Sequence, residues 1–270
     1  MNKINIVGGD KLDSRFIEKI LLGLWIGVMI ATPIILNVIG LETFPVMAII
    51  TVLIQFTASL GIVLFAWDAD RVIKTIVILL GLTWVSEFFG SLFGIPFGNY
   101  SYTSTLPLQI GGVPLLVPLA WAMMIFPAWA VAEFILKPYR TKLGKSYWLV
   151  LAMLSGLAFT AWDLYLDPQM VSRNFWVWHE SGGYYGIPWQ NYFGWWLVSA
   201  GLTLLVKPSG LRLYGLLLIY TMTWLFQAIA LGLFWGQPGP AFTGFIGMGI
   251  FSLLAWKQFF ASQDRATLQI

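Results

Sequence analysis

The chain has 270 residues, of which 59% are hydrophobic and 10% charged, with a formal net charge of +3. Soluble domains run near a quarter charged, so a water-soluble fold is excluded. Zero cysteines and a single histidine also exclude disulfides, thiolate metal sites, cysteine nucleophiles and histidine metal clusters, and the modest basic excess gives no reason to expect nucleic acid.

Residues 1–20 mix Asp10, Asp13 and Glu18 with lysines and arginines and lack a small-residue cleavage pattern, so they read as a retained cytoplasmic tail. Crossing a hydrocarbon core about 30 Å thick takes roughly 20 apolar residues. Eight stretches approach that length: 16–39, 45–67, 72–93, 113–136, 147–164, 189–206, 213–235 and 241–260. The fifth and sixth are short and flanked by polar residues, which predicts tilted, broken or sheltered helices. The expected fold class is therefore all-α, a polytopic membrane helix bundle forming a single integral membrane domain over 1–270.

With eight crossings, fourteen lysines and arginines fall on one side and Arg173 alone on the other. The positive-inside rule then puts both termini in the cytoplasm, and the expected location is the plasma membrane of a prokaryote. Connections 94–112 and 165–188 share the extracytoplasmic face. Both are rich in Gly, Pro, Tyr and Trp and read as compact aromatic caps. They also share a phrase, since Gly94 to Tyr100 and Gly186 to Tyr192 both read GIPxxNY. Either this is coincidence among common loop residues, or helices three and four and helices five and six form a parallel repeat with a site at their interface.

Three acids stand out from those beside water. Glu87 lies inside the third stretch, about two turns from its outer end, where an ionisable side chain is costly and a functional role is the default reading. Asp163 and Asp167 are four apart and share one helical face; Pro168 is expected to end that helix. A carboxyl group desolvated at that depth has its charged form disfavoured and can serve as a proton donor. Interhelical hydrogen bonding, or a turn role for Asp167, is the structural alternative. His179 reads as a solvated loop residue, and Trp121, Trp162 and Trp176 as pocket lining. The spacings Gly23/Gly27 and Gly90/Gly94 read as sites of close helix contact.

Taken together, Glu87-Phe88-Phe89-Gly90, the GIPFGNYSY run from Gly94 to Tyr102, the run from Gly112 to Trp121, Trp162 to Pro168 and Gly183 to Pro188 resemble the CruF-type membrane carotenoid hydratases. The resemblance covers the third to sixth helices with their loops. It implies hydration of the terminal 1,2 double bond of an acyclic carotenoid end, as in gamma-carotene or lycopene, to a tertiary alcohol; the same family includes bisanhydrobacterioruberin hydratases. The expected partners are a carotenoid, water and the lipid bilayer, with other carotenoid biosynthesis enzymes as candidates.

Such a reaction needs a proton donor, a site that holds a tertiary cation and a positioned water, with no redox cofactor and no metal. From the residues themselves, Asp163 or Glu87 is expected to donate the proton. The other carboxylate, with Asp167 and Asn191, orients water, and Trp or Tyr faces stabilise the cation. Asn99, Tyr100, Trp121, Trp162 and Asn191 are the candidate substrate-binding residues. Two rival readings are a UbiA-like membrane prenyltransferase, for which one arginine and a single aspartate pair are a poor diphosphate site, and a non-enzymatic carotenoid- or lipid-binding membrane protein.

Overall fold

A computed structural model describes residues 11–267, with side chains described over 14–263. Of the basic residues counted above, Lys3 lies outside the described residues, as do the first ten positions of the expected tail. The side chains of Lys11 and Arg265 also fall outside. The principal helices are α1 (Lys11–Ile39), α2 (Phe44–Leu64), α3 (Ala69–Phe93), α4 (Leu116–Leu136), α6 (Tyr147–Ser172), α7 (Trp189–Val206), α8 (Leu213–Ile229) and α9 (Pro238–Thr267); α5 is the single turn Arg140–Leu143. A π-helical turn, Ala230–Phe234, extends α8. These eight long helices follow the eight expected stretches. Among the described residues, six stretches are long and apolar enough to cross a membrane, and one of them, Leu116–Ser172, contains both α4 and α6; α7 is not among them.

Residues 121–132 of α4 are buried on every side, as a helix apolar all round must be, and α2, α3, α6, α8 and α9 pack around it. Two prolines interrupt helices in this core without ending them. Pro127 leaves the carbonyl of Met123 without its amide partner, and Ser59 Oγ donates to that oxygen at 2.9 Å. Pro168 does the same to Leu164, whose carbonyl accepts the Tyr184 hydroxyl at 2.9 Å.

The expectation that the helix ends at Pro168 is thereby corrected. α6 runs 26 residues, to Ser172, because a donor from the following loop replaces the missing amide, and it is neither short nor broken. Removing that donor should show its worth: Tyr184→Phe is expected to cost about 1–3 kcal/mol, the usual cost of a buried acceptor left unpaired. The check is the melting temperature of the purified protein in detergent.

Connections cluster at the two ends of the bundle. At one end Arg71 reaches Ser209 Oγ (3.2 Å) and Trp67 Nε1 reaches Ser209 O (2.7 Å). Arg212 bonds Ser14 Oγ and pairs with Glu18 at 3.7 Å. Three of the basic segments therefore meet. At the other end the α3–α4 and α6–α7 connections pair directly: β1 (Tyr100–Tyr102) lies antiparallel to β4 (Trp176–Trp178), with Tyr100 opposite Trp178 and Tyr102 opposite Trp176. A second small ribbon, β2 (Gln109–Ile110) with β3 (Val113–Pro114), closes the first connection.

The two GIPxxNY phrases adopt different structures. In the first, Gly94 is the left-handed residue that ends α3, at φ 70°, and the chain passes through a turn into β1. In the second, Gly186 is again left-handed, but Pro188 leads straight into α7. One phrase closes a helix and the other opens one, so the shared phrase does not mark structurally equivalent connections. They do touch, with Gln190 Nε2 donating to Gly94 O at 2.9 Å. The glycine spacings also need correction. A Cβ at Gly23 or Gly27 would meet no atom within 4 Å, so neither makes a close helix contact. At Gly90 the close neighbour is the loop, with Phe97 Cδ2 at 2.6 Å and Tyr100 Oη at 3.0 Å from such a Cβ.

Candidate active site

The site is built where the β1–β4 ribbon lies over the C-terminal ends of α3 and α6. Side chains along a strand alternate between faces. In Tyr100-Ser101-Tyr102 this sends both phenols to one face and Ser101 to the other, where its hydroxyl meets His179 Nε2 at 2.8 Å. In Trp176-Val177-Trp178 it sends both indoles inward and leaves Val177 outside. Four aromatic side chains with polar tips therefore face the helices together. The rings pack across the ribbon, with centroids 5.1 Å apart for Tyr100 and Trp178 and 5.9 Å for Tyr102 and Trp176.

The polar tips end on carboxylates. Glu87 Oε2 accepts the hydroxyls of Tyr100 (2.5 Å) and Tyr102 (2.7 Å), while Oε1 accepts Trp121 Nε1 at 2.9 Å. Asp167 Oδ1 accepts the indole N–H of Trp176 at 2.6 Å and of Trp178 at 3.3 Å. One ribbon thus serves two acids from two helices, the tyrosine strand on one and the tryptophan strand on the other. Gly90, one turn after Glu87, provides the space through which Tyr100 reaches it. Burial, and after it the Glu87 charge, pushes the Tyr100 and Tyr102 phenols well up from the ordinary tyrosine range, so both remain hydroxyl donors.

Asn191, in the first turn of α7, links the aspartates. Its amide Nδ2 donates to Asp163 Oδ2 at 2.7 Å and to Asp167 Oδ2 at 2.6 Å, one proton to each. The second oxygen of Asp163, Oδ1, is buried without a partner. Asp163 is fully buried, and Glu87, Asp167 and Asn191 are nearly so.

Glu87, Asp167 and Asn191 line one cavity, with about 70 Å³ open to the centre of a water-sized sphere. The rest of the lining is aromatic and aliphatic, including Trp121, Trp195, Phe175, Leu106 and Met170. Of these, Trp121 and Trp195 pack with Phe159 into a close ring cluster, with centroids 4.5–5.3 Å apart. The arrangement combines two carboxyl sites with an electron-rich, otherwise apolar chamber.

The residues singled out in the sequence divide accordingly. Glu87, Asp167, Asn191, Tyr100, Trp121 and Trp176 share the cavity. Asp163 stands behind it, reached through Asn191. Asn99 is exposed and donates to Glu180 Oε1 at 2.9 Å, so it is no part of the chamber: the residue before Tyr100 faces the opposite side of the extended chain. Trp162 lines a neighbouring cavity instead. Tyr102, Trp178 and Trp195 were missed. The first two carry a legible signal, since Tyr-Ser-Tyr and Trp-Val-Trp each put two amphipathic rings on one face of a strand.

A model of the carotenoid biosynthesis protein family matches residues 43–212. The chain belongs to that family. All residues lining the carboxyl cavity fall within the matched segment, so the family match covers the whole chamber. Among curated proteins, the bisanhydrobacterioruberin hydratase of Haloarcula japonica is 30% identical over 172 residues, covering 62% of this chain and 56% of that protein. The chain therefore aligns with little more than half the length of this relative. No solved structure matches the chain.

Proposed function

We propose that this member of the carotenoid biosynthesis family is a membrane hydratase that adds water across the terminal 1,2 double bond of an acyclic carotenoid end. The observation that carries the reading is the pair of carboxyl sites, Glu87 and Asp167, on one apolar aromatic chamber. The hydratase activity named for the Haloarcula relative is in keeping with it.

Hydration of a trisubstituted alkene starts with a proton delivered to C2, the less substituted carbon, leaving a tertiary cation at C1. Water then bonds to C1 and loses a proton to a base, so one molecule of water is added, and the base hands that proton back to the acid before the next turnover. Here the aspartate pair, held by one amide, carries a single proton and offers it to the chamber through Asp167. Asp163, with one oxygen free of donors, is where that proton rests. Glu87, with three donors aimed at it, acts as the carboxylate that offsets the cation and accepts the proton from the attacking water. The ring faces of Trp121, Trp195 and Tyr100 surround the cation, and Asn191 orients the aspartates. The long polyene lies among the helices, with its end group in the chamber. Eight crossings, cytoplasmic termini and a prokaryotic plasma membrane complete the proposal, with the ribbon on the extracytoplasmic side.

Expression in a bacterium that makes lycopene or gamma-carotene tests the reading directly. The expected result is a new pigment heavier by one water, carrying a tertiary hydroxyl. Unchanged pigment, with the protein present in the membrane, would overturn it.

A further inference from the structure

A second cavity adjoins the carboxyl chamber, between α1, α2, α6 and α8. The two share Ala48, Val52, Leu166 and Met170 as a common wall. Among the described residues its lining includes no charged side chain, yet five of the lining residues carry a buried polar atom with no hydrogen-bond partner: Trp162 Nε1, Gln169 Oε1, Thr223 Oγ1, Gln227 Oε1 and Trp235 Nε1. Buried polar groups are nearly always paired, because each one left unpaired keeps the full cost of losing water. Five among the residues of one cavity, from α6, α8 and the residue that follows the π-helical turn, form a pattern rather than isolated defects. The other polar side chains there are served: Thr32 and Thr51 bond helix carbonyls, and Gln55 bonds Trp25 and Met124.

The chemistry of the five narrows the ligand. Two are N–H donors, two are amide carbonyl acceptors, and Thr223 can be either. A metal cation would find only neutral oxygens beside two N–H groups, and an anion would face two carbonyls with no positive charge. An O–H group both donates and accepts, which suits a mixed neutral set. We infer that this second cavity is a binding site for neutral hydroxyl ligands, either water held beside the reaction chamber or the alcohol end of the hydrated chain. Three of its five groups, Thr223, Gln227 and Trp235, lie beyond the segment matched by the family model, so the site draws on a part of the chain that segment does not include.

Treating the bound hydroxyl as reactant or product rests on the hydration reading; the binding site itself does not. The test therefore uses no turnover. Full-length protein is purified in detergent as wild type, Thr223→Val and Gln227→Leu. If Thr223 holds a hydroxyl ligand, the isosteric valine removes a hydrogen bond, and the melting temperature falls by about 2–4 °C. If the hydroxyl is an orphan, valine relieves a penalty and the temperature holds or rises.

The second arm titrates tryptophan fluorescence with an acyclic C40 polyene with plain ends and with the same polyene bearing one tertiary hydroxyl end. A preference of about tenfold for the hydroxylated polyene, lost in both variants, assigns the alcohol end. A fall in melting temperature without such a preference assigns water. No fall and no preference overturns the inference. Because neither arm requires product, a protein that fails to hydrate carotenoid in the expression host can still pass both.

Discussion

Asp163→Asn should abolish most of the hydroxylated pigment, a fall of about 10²–10⁴-fold, the range spanned by general acid catalysis, while the protein stays folded. The substitution is unusually clean. Asparagine can keep its carbonyl where Asp163 Oδ2 accepts Asn191, and turn its amide to the position of Oδ1, where no donor stands to oppose it. Shape and the Asn191 bond survive, and only the capacity to carry a proton goes. An equal melting temperature with lost product supports the aspartate pair as the proton source. Unreduced product with the variant in the membrane would remove Asp163 from the mechanism. Asp167→Asn is the poorer instrument, because all three partners of Asp167 are donors. Its amide would have to face one of them, confounding chemistry with a cost of about 1–3 kcal/mol.

Glu87→Gln is the second large effect expected, a loss of about 10²–10³-fold in product, comparable to deleting a fixed electrostatic stabiliser from a transition state. The geometry allows the variant to fold. The glutamine carbonyl can accept Trp121 Nε1, and its amide can face the Tyr100 and Tyr102 hydroxyls, which turn to accept instead of donate. What disappears is the negative charge facing the chamber. Polyene binding, followed by tryptophan quenching, should stay within a fewfold of wild type while hydration falls. A parallel loss of binding would mean that Glu87 holds the ribbon in place and does not act on the cation.

The helices were largely legible in advance because a span is a statement about composition over some twenty residues, and composition needs no knowledge of neighbours. Pro168 was misread for the opposite reason. Whether a proline ends a helix depends on who serves the freed carbonyl, and Tyr184, which does so, lies in a loop sixteen residues further on. The acids Glu87, Asp163 and Asp167 were visible because charge within an apolar stretch is costly. Their partners were harder to see, since a three-residue strand has too little periodicity to announce itself. Asn99 and Asn191 occupy matching places in the same phrase, yet one is exposed and the other joins two aspartates, because an extended segment and a helix start aim the same residue differently. The Gly23/Gly27 spacing likewise describes a surface without saying whether anything lies against it.

The β1–β4 ribbon ties together parts of the chain that would otherwise vary separately. Tyr100 and Tyr102 come from one connection and Trp176 and Trp178 from the other, and among the described residues each strand pairs only with its counterpart. Each loop is thus the template on which the other folds. Exchanging one of them with a relative's would disturb the hydrogen bonds of both Glu87 and Asp167, although these sit on different helices. The two connections therefore behave as one inheritable unit, and transplanting the chamber into another helical bundle requires moving both together.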